Sequence, residues 1–393
     1  MSRLIAASAL CAALAGTILG LAGTDLVLPA VPSLPDILGG TQAMAQGVLA
    51  SYTFGIAIGL ILWGEAGSRT NQVTLLLVCL FGFAIASLVA TRAESIPILT
   101  ICRFFQGLLG AAPAVFAPVW IRFLVPEGAV VRVFGLLATF ESMIPALAPI
   151  MGLWLLASFG WTSSFYLLFV LALGTIVLLL IIRRAAPSLQ IRGHAGTYRS
   201  LMRNIVYWRY SLSHAASLAG LLIFVFGMPA VMVHVFGLGV QRFIVMQISG
   251  IFFFAVCANT AGFFTKRFGD EQVIIFGSVM SSVGMLLMIL TRLTGSDNVT
   301  IYILMFVLVN AGFGLRAPPG FNQALAVSEG NEARAAAILL LFAFVGTAVG
   351  TAVTAPYVER GMMELLVTSF IVFTISPVLL FALPPSRPSS VPT

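Results

Sequence analysis

"LIAASALCAALAGTILGLAGTDLVLPAV", residues 4–31, holds a single charge, Asp25, in an otherwise uncharged and largely apolar run. A helix that crosses a bilayer needs about 20 predominantly apolar residues, and this run exceeds that. Its length, and the lack of a cleavage-site context after it, argue against a signal peptide. It is expected to form a first transmembrane helix. Its acid then needs a reason to be there, because a carboxylate at membrane depth costs about 2.5–3.5 kcal/mol on insertion scales.

The remaining sequence repeats the pattern. Of 393 residues, 60% are hydrophobic and 8% are charged, and the mean hydropathy is +1.08. A soluble domain carries about 25% charged residues, so no soluble fold fits. Alternating strands of about 10 residues, the mark of a membrane β-barrel, are absent. Twelve spanning helices are expected, at 4–31, 43–63, 73–91, 96–122, 132–157, 164–182, 207–235, 243–264, 272–291, 299–325, 335–356 and 363–383. With both termini in the cytoplasm, fourteen of the basic residues fall on that side and only Arg92, Arg242, Arg292 and Arg360 on the other. That asymmetry is the positive-inside rule. It accounts for the net charge of +7 without a nucleic-acid partner. Cys11, Cys79, Cys102 and Cys257 lie in apolar runs and read as small core residues, with neither a disulfide framework nor metal-ligand spacing.

The one long polar stretch, "RRAAPSLQIRGHAGTYRSLMRNIV" at 183–206, divides the chain into a six-helix bundle over 1–182 and a second over 207–393 with a short tail. Equivalent loops mark the two halves. "GEAGSRTNQV" starts at Gly64 and "GFFTKRFGDEQV" at Gly262, each with an arginine five residues on, Arg69 and Arg267. An internal repeat follows.

These stretches resemble the major facilitator superfamily, and within it the drug:proton antiporters of the Bcr/CflA type. "LTICRFFQGLLGAA", residues 99–112, matches the superfamily's fourth-helix pattern L-x-x-x-R-x-x-Q-G-x-x-G-A-A, with Arg103, Gln106 and Gly107 in place. "TDLVLPAVPSLPDILG", 24–39, resembles that branch's first helix and following loop, and "APIMGLWLLASFGWTSSFYL", 148–167, its antiporter motif, with Pro149 and Gly152. "MPAVMVHVFGLG", 228–239, marks the second half less specifically. The 64–73 loop is a degraded G-x-x-x-D-R-x-G-R-R motif: Ser68 stands for its Asp, Asn71 for its second Gly, and Gln72 and Val73 for its closing arginines. The resemblance implies a monomeric inner-membrane transporter that works by alternating access and needs no cofactor. It implies that a small organic solute is exported against protons, with Gly64, Arg69, Gly107, Pro149, Gly152, Gly262 and Arg267 in gating and motif roles. Uptake of a metabolite and facilitated diffusion are the rival directions.

The charged residues at membrane depth carry the chemistry. Asp25 sits about 9 Å inside the outer end of its helix and Arg103 about 10 Å, counted at 1.5 Å per residue, so a charge pair or a shared cavity is geometrically open to them. Burial favours a neutral acid and a nearby cation favours a carboxylate. An acid whose surroundings change as a cavity opens to one side or the other takes up and releases a proton. Asp25, and Glu141 one turn before Pro145, are therefore the expected proton-coupling residues; their bland reading is as hydrated or hydrogen-bonded acids. For substrate, the candidates are Arg103, Arg316, Tyr52, Gln106, Asn310 and Asn322. Arg316 lies in "AGFGLRAPPGFNQAL", 311–325, where Pro318, Pro319 and Gly320 are expected to break the helix and free carbonyls. It reads either as a cavity residue or as an arginine snorkelling to the headgroups. Two intramembrane arginines suit a carboxylate-bearing metabolite, such as a siderophore or an amino-acid derivative; an acidic cavity walled by Phe54, Phe105 and Phe140 suits multidrug cations. Asn259 and Gln247 either line the pathway or bridge helices.

Other function classes lose their chemistry. Lys266, the only lysine, is followed by Arg267, so no phosphate-cradling G-x-x-x-x-G-K-[ST] loop exists. His194, His214 and His234 make no H-E-x-x-H pair, and no G-x-S-x-G occurs, which leaves no enzyme signature.

Overall fold

A computed structural model describes residues 3–185, 197–358 and 360–385. Residues 186–196 of the central polar stretch, with His194, and 386–393 of the tail, with Arg387, lie outside the described residues. All regular structure among the described residues is helical. The elements are α1 Arg3–Asp25, a 3-10 turn Leu28–Ser33, α2 Leu34–Leu38, α3 Gln42–Arg69, α4 Gln72–Ala90, α5 Ile96–Gly110, α6 Ala112–Leu124, α7 Glu127–Phe159 and α8 Ser163–Ala185. After these come α9 Tyr198–Arg203, α10 Ile205–His234, α11 Val240–Phe268, α12 Asp270–Leu293, α13 Val299–Ala326, α14 Glu332–Thr354 and α15 Met363–Ala382. Twelve stretches are long and apolar enough to span a membrane, with bounds within several residues of the sequence expectation.

Two departures have physical causes. The first helix was expected to run to Val31, but α1 stops at Asp25. Pro29 has no N–H for the Asp25 carbonyl four residues back, and its ring crowds that carbonyl. The chain continues as a proline-punctuated 3-10 turn through Pro29 and Pro32. Asp25 is thus the last helical residue, not one inside a continuing helix. The reverse holds in α13, where Pro318 and Pro319 sit inside an unbroken helix. The ladder partners of the Gly314 and Leu315 carbonyls are gone, yet close neighbours hold the helix in line: a Cβ on Gly314 would meet the Phe254 carbonyl of α11 at 2.5 Å, and one on Gly312 the Gly277 carbonyl of α12 at 2.7 Å. The expected break does not occur.

The described chain divides into two compact units. Unit 1 takes Met1–Glu127, Phe140–Ala195 and Glu332–Ala337; unit 2 takes Gly128–Thr139, Gly196–Asn331 and Ile338–Thr393. In unit 1, α3 packs on α5, α4 on α8 and α1 on α6. The α3–α5 contact is backbone to backbone: a Cβ on Gly107 would lie 2.0 Å from the Tyr52 carbonyl oxygen, and one on Gly55 2.2 Å from that of Phe104. Small residues permit such approach in a membrane, where packing rather than water drives helix association. In unit 2, α13 packs between α11 and α12, and α10 on α15, around Phe224, Met228, Met285, Tyr302, Phe306 and Phe373. Phe224 and Phe306 stack at 5.3 Å. At the start of α12, Glu271 binds Arg209 through both carboxylate oxygens and also accepts from the Tyr210 hydroxyl. Arg209 is buried, and it also donates to the Leu380 carbonyl, joining α10, α12 and α15.

The two loop glycines each face residues near the start of another helix, Gly64 far more tightly than Gly262. In unit 1, a Cβ on Gly64 would meet Cβ of Ala337, in the start of α14, at 2.7 Å. In unit 2, one on Gly262 would meet the Arg132 backbone nitrogen, near the start of α7, at 3.6 Å.

Candidate functional site

Asp25 is half-buried at the end of α1, and the turn after it is held from two sides. The Leu26 carbonyl accepts a hydrogen bond from the Ser164 hydroxyl at 3.0 Å, and a Cβ on Gly152 would press on that same oxygen at 2.3 Å. The antiporter-motif glycine therefore seats the residue next to the acid.

Arg103 is fully buried, yet it does not pair with Asp25. Its guanidinium lies 4.0 Å from the centre of the Tyr52 ring and donates to Gln106 Oε1 at 3.1 Å. Gln106 donates onward to Ser87 at 2.7 Å. The Tyr52 hydroxyl donates to the Gly20 carbonyl of α1. Tyr52 lies within electrostatic range of both Asp25 and Arg103. Two of the guanidinium nitrogens, Nε and Nη2, have no partner. Arg103 and Asp25 make no direct contact.

Glu141, on α7, lies within reach of Thr17 of α1, a buried residue whose hydroxyl donates to the Leu14 carbonyl. Among the described residues no basic side chain lies within 4.0 Å of Asp25 or Glu141. Both acids belong to unit 1, Asp25 as the last residue of α1 and Glu141 on α7.

In unit 2, Arg316 is fully buried. Snorkelling requires a headgroup-facing, open side chain, and this one instead turns to α10, where it donates to the Ser213 carbonyl at 3.2 Å and to the Ser213 hydroxyl at 3.1 Å. Asn310 is buried on the same helix, donates to the Phe306 carbonyl and packs against Gly250. Asn322 is half-buried. Asn259 bridges to Thr139 at 2.9 Å, a helix-bridging role. Phe54, Phe105 and Phe140 are exposed. Arg267 is also exposed, over the Phe268 ring.

The degraded loop motif shows what replaced its charges. Glu65, which sequence reasoning passed over, pairs with Arg69 and accepts from Arg334 Nε at 2.7 Å. Arg69 is 72% exposed, whereas the Arg334 side chain is 5% exposed. The signal was present: Glu65 lies four residues before Arg69, the favourable order for a helical ion pair. Ser68 hydrogen-bonds back to the Glu65 carbonyl, and Gln72, fully buried, links the Gly67 carbonyl to the Trp120 indole. The carboxylate has moved one turn up α3, and a neutral amide fills an arginine's place.

Comparison with known proteins agrees with this architecture. A family model described as Major Facilitator Superfamily matches residues 13–351. The chain is 25% identical over 283 residues to a protein named bicyclomycin resistance protein homolog from Haemophilus influenzae, covering 69% of this chain and 70% of that one. It is also 25% identical to a chloramphenicol resistance protein from Pseudomonas aeruginosa, covering 77% and 73%. The fold superposes on a bacterial homologue of the iron transporter ferroportin in an outward-facing state with a TM-score of 0.76, at 14% identity, over 95% of this chain and 98% of that one. With twelve apolar helices in this fold and a family match across most of its length, the chain is a multi-pass membrane protein that belongs to the Major Facilitator Superfamily.

Proposed function

We propose that this transporter is a proton-coupled antiporter of the inner membrane, with both termini cytoplasmic, that exports a small organic solute by alternating access between bundles 1–182 and 207–393. One observation carries the reading. Asp25 ends α1 at a proline-forced change of helix type, half-buried and without a cationic partner among the described residues. An acid held at membrane depth without a salt bridge is free to exchange a proton with whichever side water reaches it from, and intramembrane acids of this kind mark proton relays. Glu141, against the same helix, is the second relay candidate. The names of the relatives, resistance proteins for bicyclomycin and chloramphenicol, support export as the direction.

The test is transport in everted membrane vesicles with an imposed pH gradient, acid inside, reported by quenching of a weak-base dye. Addition of chloramphenicol or bicyclomycin, or of a panel of organic acids, should partly collapse the gradient in vesicles that contain the protein and not in Asp25→Asn vesicles. Solute movement that is indifferent to the gradient would replace antiport with facilitated diffusion. Movement with the protons instead of against them would replace it with uptake.

A further inference from the structure

Among the described residues, unit 2 contains a buried cation with no carboxylate within 4.0 Å. Arg316 is fully buried, and its two hydrogen bonds go to a carbonyl and a hydroxyl. The hydroxyls behind it form a one-way chain. Arg316 donates to Ser213 Oγ, which is 2.9 Å from Ser376 Oγ; Ser376 donates to Ser278 at 3.1 Å, and Ser278 donates to the Ile274 carbonyl at 2.7 Å. Ser376 has spent its proton on Ser278, so Ser213 is the donor between those two. Every oxygen in the chain turns its lone pairs toward Arg316. Neutral dipoles therefore solvate the charge, and no carboxylate of a described residue lies within 4.0 Å of it. An uncompensated buried charge is among the most costly features a membrane protein can keep.

Next to it is a second unused polar atom. His214 is buried among Phe313 and Phe321, with ring centroids at 6.2 and 5.1 Å, and its Nδ1 has no hydrogen-bond partner. Arg316 Nε has none either. The position a Cβ would take on Gly320 is 2.9 Å from Arg316 Nη2 and 3.6 Å from His214 Nδ1. The guanidinium and the imidazole thus flank the same glycine, which places no side chain between them. Ser217, one turn further along α10, adds a buried hydroxyl without a partner.

From this juxtaposition we infer that Arg316, His214 and Gly320 form the docking niche for the carboxylate of an organic monoanion, so that the solute carried is an acid rather than a lipophilic cation. The inference rests on the protein being a transporter and deepens the export reading. One fixed cation balances one negative charge. A guanidinium with donors to spare grips a carboxylate with two parallel hydrogen bonds, in a geometry that lysine does not reproduce. His214, as the Nδ1–H tautomer, supplies a further donor. Phe313 and Phe321 supply apolar walls for the remainder of the molecule, the usual lining of a small-molecule site.

The experiment measures equilibrium binding to the purified full-length protein in detergent, with no pH gradient, using three acid and amide pairs of equal shape: benzoate and benzamide, salicylate and salicylamide, 1-naphthoate and 1-naphthamide. In at least one pair the wild type should bind the acid ten-fold or more tightly than the amide. Arg316→Ala should bind the two alike, and Arg316→Lys should lose most of the preference. Gly320→Ala, which crowds Nη2 but leaves every polar group in place, should weaken the acid and spare the amide. If no acid is preferred to its amide by the wild type, whether both bind equally or neither binds, the inference is wrong. It is also wrong if a folded Arg316→Ala, or a folded Arg316→Lys should Ala fail to fold, keeps the full preference. A protein that prefers the acid here yet shows no gradient-driven movement in vesicles would keep the niche and lose the antiport reading, so the two failures are distinct.

Discussion

The Arg103 guanidinium lies over the Tyr52 ring at 4.0 Å, and that tyrosine, not an acid, is what couples it to α1. A cation over an aromatic face gains about 0.5–2 kcal/mol, most where water is excluded. Tyr52 in turn reaches the Gly20 carbonyl. A Cβ on Gly23 would overlap the tyrosine hydroxyl at 2.2 Å, so α1 holds a slot for this ring. Tyr52 therefore ties Arg103 to α1, the helix that ends at Asp25.

Tyr52→Phe tests that tie. The ring and its contact with Arg103 remain, while the donor to Gly20 is lost, at a cost of about 0.5–1.5 kcal/mol. Thermal unfolding of the purified protein should shift by only a few degrees. The pH dependence of transport should shift clearly, because the group within electrostatic range of both Asp25 and Arg103 has lost its polar atom. An unchanged pH profile would leave Tyr52 as packing alone.

Asp25→Asn should abolish gradient-driven transport while unfolding behaviour stays within about 1 kcal/mol of wild type, since no ion pair is broken. Energised accumulation and thermal stability, measured on one preparation, check both halves. Full accumulation in this variant would remove Asp25 from the coupling mechanism and leave Glu141 as the acid to test.

Glu65 should act mainly through Arg334. Its contact with Arg69 is a surface pair between neighbours on one helix, worth about 0.3–0.5 kcal/mol. Its contact with Arg334 reaches a side chain that is 5% exposed. Double-mutant cycles with Glu65→Gln should give a coupling energy to Arg334→Gln of about 1–3 kcal/mol, the range for contacting residues in one network, and a much smaller one to Arg69→Gln. Equal couplings would mean that burial adds nothing to the Arg334 pair.

The spans were legible because hydropathy integrates over about 20 residues and the bilayer fixes that length. The contacts of Arg103 were not legible, for a geometric reason. Counting residues gives height along the membrane normal but not direction around the helix axis, and the latter decides that Arg103 meets Tyr52 rather than Asp25. The proline pair of α13 misled because a proline's cost depends on neighbours that no local pattern contains; Gly312 and Gly314 let α11 and α12 close on the helix and hold it. Pro29 acts on a carbonyl four residues back in its own chain, so the end of α1 at Asp25 was readable in principle. Glu65 was overlooked because motif matching looks at fixed positions, and here the acid had moved by one turn.

Gly107→Ala should separate α3 from α5. The new methyl would lie 2.0 Å from a backbone oxygen, which cannot rotate away as a side chain does. Overpacking of this kind costs about 1–3 kcal/mol. Gly47→Ala, on the same α3 but with nothing within 4 Å, is the control and should be neutral or stabilising by up to about 1 kcal/mol. Unfolding temperatures of the two variants check the contrast.

Gly152 and Ser164 act on the same oxygen, the Leu26 carbonyl, in opposite ways, and this separates position from bonding at the turn beside Asp25. Ser164→Ala removes a hydrogen bond to that carbonyl and leaves the turn where it is, for a loss of about 0.5–1.5 kcal/mol in stability and little in transport. Gly152→Ala keeps the hydrogen-bonding groups but places a methyl 2.3 Å from the oxygen, so the turn must move, and Asp25 with it. Proton-driven transport should then fall at least ten-fold in Gly152→Ala and less than two-fold in Ser164→Ala, each measured in vesicles at matched protein amounts. If the two variants lose transport equally, the hydrogen bond matters and the placement of Asp25 by Gly152 does not.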